Sequence, residues 1–188
     1  MSIIRKHKII TIIVAIVIIA AIGIIIVRRM SVMDFPSENI IITSSAFEDG
    51  GTMPVKYTGK GEDLSPELIL SEVSSEALSV AVIMDDLDVP FGIYNHWVIW
   101  NLPVQEVIPE AIEHGAVVNS LNGAVQGKGY GRHCYKGPNP PFGTHRYQFH
   151  VFVLDCKLEL SSYSGKKDLM KSMEGHILQY GSITGKFK

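Results

Sequence analysis

The chain has 188 residues, 46% of them hydrophobic, with 19 acidic against 17 basic side chains and a formal net charge of −2. That length allows one ordinary domain plus an appendage. The balance of charge offers no broad basic surface for nucleic acid, and only Cys134 and Cys156 are present, which excludes a disulfide framework and a cysteine-rich metal site.

The appendage comes first. Residues 9–27 run from Ile9 to Val27 without a charge and consist mostly of Ile, Val and Ala. As a helix they would extend about 28 Å, close to the thickness of a bilayer core. Arg5, Lys6 and Lys8 precede the run and Arg28 and Arg29 follow it, so the positive-inside rule favours a cytoplasmic N-terminus by a narrow margin. The run exceeds the usual signal-peptide core, and no small-x-small cleavage site follows it, which argues for an uncleaved anchor. We therefore expect a cytoplasmic tail over residues 1–8, a transmembrane helix over 9–27, a linker over 28–37 and one domain over 38–188 held outside the membrane. Residues 1–33 contain five of the 17 basic residues and none of the 19 acidic ones, so the remainder carries twelve positive against 19 negative charges, a net of −7. Such a domain is a poor binder of nucleic acid and of anionic membrane surfaces.

Beyond the linker, Ile40 to Ser44 and Met53 to Tyr57 read as strands separated by the Asp49-Gly50-Gly51 turn, with a loop from Gly59 to Pro66. Leu78 to Met84 is apolar on both faces and is expected to be a central strand that delivers Asp85, Asp86 and Asp88 at its end. Trp97 to Trp100 and Tyr147 to Leu154, rich in β-branched and aromatic residues, are the other strong strands. The Gly- and Pro-rich stretch between them, from Pro103 to Pro141, is too long to be an idle connection. Lys166 to Leu178 places Leu169, Met170, Met173, Ile177 and Leu178 at helical spacing, and Gly181 to Phe187 reads as a final strand. The fold class is mostly β, with antiparallel sheets and short helices.

Ligand-grade side chains cluster where strands meet turns. Asp86 and Asp88 share a face if the backbone is extended, and Pro90 closes that segment. His96 opens a strand in which Val98 and Trp100 would share its face. His145 and Tyr147 project to one side while Arg146 projects to the other, where we expect it to pair with an acidic residue such as Asp88. Imidazole, phenol and backbone N–H groups are donors suited to an anion, while Asp86 could orient a histidine or meet an ammonium group. Gly137 to Pro141 would supply a wall, with Gly137 allowing close backbone approach and the prolines stiffening it. Zinc is the rival occupant, but no closely spaced histidine pair supports it, and the reading carries no metal and no cofactor. Nor does a serine or cysteine stand beside the histidines as a nucleophile, so the reading is a binding protein and not an enzyme. Cys134 and Cys156 permit a single bridge, and the reading favours free thiols.

In combination, order and spacing, Asp86-Leu87-Asp88-Val89-Pro90, Asn95-His96-Trp97-Val98 and Gly137-Pro138-Asn139-Pro140-Pro141-Phe142-Gly143-Thr144-His145-Arg146-Tyr147 resemble the phosphatidylethanolamine-binding protein family. That family includes the Raf kinase inhibitor proteins and their bacterial and archaeal relatives, and the resemblance runs from about Ile40 to the end. It implies a single domain of two antiparallel sheets with short helices, and a pocket at strand ends built from Asp86, Pro90, His96, Gly137, Pro141, His145 and Tyr147. It also implies a cis Val89–Pro90 bond. Two departures stand out. Asn139 occupies a position that is usually Gly or Cys, and the chain ends at Lys188 without the C-terminal helix that flanks the pocket in animal members, which implies a more open pocket. The expected activity is binding of a small phosphorylated or zwitterionic group, such as a lipid head group. A protein-interaction role as a protease or kinase inhibitor comes next, and a hydrolase using His and Asp as acid and base after that.

Overall fold

A computed structural model describes residues 38–90 and 92–188. The apolar run at 9–27, with the anchor, tail and linker read from it, lies outside the described residues. Among the described residues no helix is long and apolar enough to cross a membrane.

The described chain forms two antiparallel sheets. The smaller contains β1 (Ile42–Thr43), β2 (Leu68–Leu70) and β5 (Val107–Ile108) in the order β1-β2-β5. The larger has the order β6-β7-β4-β3-β8-β9, with β3 at Ser79–Asp86, β4 at Tyr94–Leu102, β6 at Val117–Val118, β7 at Ala124–Gln126, β8 at His145–Leu154 and β9 at Ile177–Phe187. One core lies between the sheets. Val80, Val82 and Met84 of β3, Trp97 and Ile99 of β4 and Phe149, Val151 and Val153 of β8 belong to it, with Ile42, Leu68, Leu70 and Ile108 of the small sheet. The single α-helix among the described residues, α1 (Lys166–Met173), buries Leu169 and Met173 and meets the large sheet where Lys166 pairs with Asp85 of β3.

β3 is central and buried along its whole length, as its two apolar faces require. Its register matters for function: Asp86 stands opposite Tyr94 of β4 on one side and Tyr147 of β8 on the other. Both neighbours therefore aim their ends at the same corner as the Asp-rich turn.

Several expectations are corrected. Met53–Tyr57 is no strand: Met53 is a buried core residue, and Val55–Tyr57 is a 3₁₀ turn in which the Tyr57 N–H donates to the Pro54 carbonyl. Pro54 has no N–H for a sheet ladder, and its φ of −59° starts the turn instead. The helix stops at Met173 rather than Leu178, because Gly175 takes a left-handed φ of +80° that ends it. Ile177 and Leu178 then belong to β9, which is longer than the Gly181–Phe187 strand read from sequence. β2 was not legible as a strand at all, and the Pro103–Pro141 stretch contains β5, β6, β7 and a 3₁₀ turn at Asn119–Leu121. The Val89–Pro90 bond is trans, since no peptide bond among the described residues is cis. Trans is the intrinsically favoured isomer, and the adjoining turn is already closed by the Asp88 N–H donating to Asp86 Oδ1 at 2.9 Å. Cys134 and Cys156 are free thiols.

Candidate ligand-binding site

A β-bulge decides where His96 points. Met84 pairs with Trp97 and Asp85 with Asn95, so His96 is an extra residue without a partner on β3. The inserted residue turns His96 onto the face of Trp97 instead of the face of Val98 and Trp100, contrary to strict alternation. Its ring lies 5.3 Å, centroid to centroid, from that of Tyr147. The Asn95 side chain bridges the bulge, donating to the Met84 and Trp97 carbonyls and to Asp85.

The turn after β3 separates Asp86 from Asp88. Asp86 is buried, whereas Asp88 faces outward and is held by Arg146 in a bidentate pair, Nε to Oδ2 at 2.9 Å and Nη2 to Oδ1 at 2.7 Å. The Arg146–Asp88 pairing expected from sequence is thus present, and the shared face of Asp86 and Asp88 is not, because the turn at Asp86 breaks the extended backbone. His145 Nδ1 donates to Asp86 Oδ2 at 2.8 Å. The His145 and Tyr147 rings lie on one side of β8, 6.3 Å apart and 22° from parallel.

These groups open onto a cavity of about 400 Å³. Asp86, Pro90, His96, Gly137, Pro141, His145 and Tyr147, the seven residues named from sequence, all line it, as does Asn139.

Residues 43–188 match the family model described as phosphatidylethanolamine-binding protein. This chain belongs to the phosphatidylethanolamine-binding protein family. A UPF0098 protein of Pyrococcus abyssi is 40% identical over 154 residues, covering 80% of this chain and 86% of its own length. A UPF0098 protein of Methanothermobacter thermautotrophicus is 39% identical over 153 residues, covering 78% and 97%. Among solved structures, the phosphatidylethanolamine-binding protein homolog CT736 of Chlamydia trachomatis superposes with a TM-score of 0.72 at 33% identity, covering 81% of this chain and 99% of that one. YbcL of Escherichia coli, described as a new member of the mammalian family, gives 0.70 at 26% identity, covering 79% and 98%.

In this member of the phosphatidylethanolamine-binding family, both cavity histidines are held in one tautomer. His96 Nδ1 lies 2.7 Å from the Lys136 carbonyl, which can only accept, so Nδ1 carries the proton. His145 Nδ1 is likewise spent on Asp86. In the neutral form of each ring Nε2 is the remaining polar atom, and it is an acceptor. Burial pushes the His96 pKa down, against the upward pull of the Lys136 carbonyl and the charge of Asp86. Burial, then the charge of Asp86, pushes the Tyr147 phenol well above its usual value, so it remains a donor.

Four contributors were missed from sequence. Tyr94 and Tyr130 line the cavity and set their rings edge-on to His96, at 5.8 and 5.1 Å. Lys136 supplies the carbonyl that fixes His96. Asp63, in the Gly59–Pro66 loop with a left-handed φ of +61°, accepts from the Gly137 N–H at 2.6 Å and pairs with the Lys136 ammonium. Gly137 needs its missing side chain, since a Cβ there would stand 2.4 Å from the Tyr57 carbonyl oxygen. The sequence around Asp63, Gly59-Lys60-Gly61-Glu62-Asp63, marks a turn and nothing more, so it gave no signal for the bracing role. The tyrosines carried no distinguishing pattern.

Proposed function

We propose that this chain is a membrane-anchored binding module whose cavity takes a small phosphorylated or zwitterionic group, a lipid head group among them. The observation that carries this reading is the convergence of Asp86, His96, His145 and Tyr147 on one cavity. An ammonium group would meet the Asp86 carboxylate and the faces of Tyr94, Tyr130 and Tyr147, which attract cations. A phosphate would take the Tyr147 hydroxyl and, once a histidine is protonated, its Nε2–H. The anchor reading rests on residues 9–27 and their flanking charges, with the N-terminus cytoplasmic and the domain on the outer side.

The test is an NMR titration of the protein with phosphoethanolamine and with inorganic phosphate, beside His96→Ala. Saturable shifts at His96, His145 and Tyr147 that vanish in the variant are expected. Absence of shifts at millimolar ligand would remove the small-ligand reading. A protein-interaction role, as an inhibitor of an external protease or a kinase-related regulator, would then stand on the aromatic rim, where Tyr94, Tyr130 and Phe142 line the mouth yet remain 44–69% exposed. Acid–base hydrolysis with His96 or His145 as general base beside Asp86 is the weaker alternative, because none of the residues lining the cavity is a serine or cysteine.

A further inference from the structure

The chain gathers a second set of ligand-grade side chains at the other end of β8. His145 begins that strand beside the cavity, and Leu154 ends it. The strand separates the two places by roughly 30 Å at about 3.3 Å per residue. Asp155 and Cys156 follow Leu154, and His176 lies in the turn between α1 and β9.

A carboxylate oxygen, the Cys156 sulfur and a His176 ring nitrogen lie within 4.8 Å of one another. Donor atoms around a single tetrahedral ion with bonds of about 2.0–2.3 Å are spaced by roughly 3.3–3.8 Å, so small side-chain movements suffice to close on a metal. Asp155 already touches both partners: its Oδ1 lies 2.8 Å from His176 Nδ1, and its carboxyl is a hydrogen-bond partner of the Cys156 thiol. The carrying backbone is fixed as well. The Asp155 N–H donates to the His176 carbonyl at 3.1 Å, the His176 N–H donates to the Met173 carbonyl at 3.0 Å, and the buried Ser79 hydroxyl donates to the Cys156 carbonyl. Asp155 and His176 are exposed while Cys156 is half-buried, which leaves one side open to water.

We propose that Asp155, Cys156 and His176 form a three-ligand site for a borderline-soft divalent cation, zinc above all, with water in the fourth position. A thiolate with an imidazole and a carboxylate suits zinc and its first-row neighbours, and not calcium or magnesium, which take oxygen ligands. The sequence conceals the set because Cys156 and His176 are far apart in the chain and meet only through the α1–β9 turn. A bound ion would tie the end of β8 to the start of β9, so metal should also raise thermal stability by mass action.

The test uses the full-length chain, purified in detergent without a histidine tag and stripped of metal with a chelator. Titration with Co²⁺ is expected to give one equivalent of binding, a near-ultraviolet thiolate-to-cobalt charge-transfer band, and loss of that band on adding Zn²⁺. Cys156→Ser should abolish the band, and both Cys156→Ser and His176→Gln should weaken zinc binding by about tenfold or more and remove the zinc-induced rise in Tm. Cys134→Ser should change none of these. His176→Gln keeps a donor for Asp155, and circular dichroism matching the parent would establish that the variants fold. Failure to saturate with stoichiometric zinc, a band that survives Cys156→Ser, or a band lost in Cys134→Ser would overturn the proposal.

Discussion

His145 and Asp86 meet inside the cavity through a 2.8 Å hydrogen bond, with each side chain at 8% exposure or less. They come from the start of β8 and the end of β3, which are hydrogen-bonded neighbours, so the sheet itself sets the contact. The consequence is a division of labour. Asp86 holds the imidazole in one tautomer and brings a negative charge to the cavity floor, which favours an ammonium group and opposes a bare phosphate.

Asp86→Asn separates those two roles. An amide oxygen can still accept from His145 Nδ1, so the ring keeps its orientation while the charge is lost. Affinity for phosphoethanolamine should fall by about tenfold, equivalent to about 1.4 kcal/mol. Affinity for inorganic phosphate should stay level or rise. Parallel titrations by calorimetry check this, and an equal loss for both ligands would mean that the carboxylate does not discriminate between them.

The lowered pKa of His96 makes two processes depend on pH in opposite directions. Below its ordinary value of 6.5 the unfolded chain takes up a proton that the folded chain resists. The stability contributed by the neutral buried ring is complete above that pH and is lost as pH falls toward the lower folded value. Phosphate binding should strengthen over the same descent, as Nε2 changes from acceptor to donor. Tm and phosphate affinity measured against pH for the parent and His96→Gln would show both slopes, and the variant should flatten both.

Arg146→Ala removes the clamp between the turn after β3 and the start of β8. Arg146 is mostly exposed, so the stability loss should be about 1 kcal/mol or less, read as a small drop in Tm. Arg146 also holds the Asp88 carboxyl below its usual range, mainly through its hydrogen bonds. That contribution is present above the ordinary carboxylate value and lost as pH falls through the lowered one, so parent and variant should converge in acid.

Most of the cavity was legible because its residue types are uncommon at strand ends, and three such segments recur in order. The placement of His96 was not. Its face depends on one unpaired residue in β4, and alternation read from sequence assigns the wrong side whenever a bulge intervenes. Asp63 was hidden for a different reason: its partners, Lys136 and Gly137, lie more than seventy residues away, and no local pattern marks a loop that braces another loop. The helix end was misjudged because Ile177 and Leu178 fit a helical stripe equally well, while Gly175 decides the backbone.

Asp63→Ala should test that bracing. It leaves the Gly137 N–H and the half-buried Lys136 ammonium without their acceptor, at a cost of about 1–3 kcal/mol. Because the Lys136 carbonyl fixes His96, the same change should weaken phosphoethanolamine binding and broaden the His96 ring signals. A stable variant with unchanged ring signals would show that the wall stands without Asp63.

On the other face of the sheet, Asp85 is fully buried one residue from Asp86, and its surroundings carry the sharpest stability prediction. Burial pushes its pKa up, but hydrogen bonding from His150, the charge of Lys166 and further bonds from Lys166 and Asn95 outweigh it, so the carboxyl stays ionised. Lys166 belongs to the first turn of α1 and brings its ammonium to 2.5 Å from Asp85 Oδ2, which makes the pair a polar tie between helix and sheet. Lys166→Met keeps the aliphatic stem but leaves a buried carboxylate without its cation, and should cost about 3 kcal/mol. The double variant with Asp85→Asn should recover much of that loss, since no charge then remains to compensate. Urea unfolding of the four proteins measures the coupling. Additive losses would mean that the ion pair adds nothing to the tie between α1 and β3.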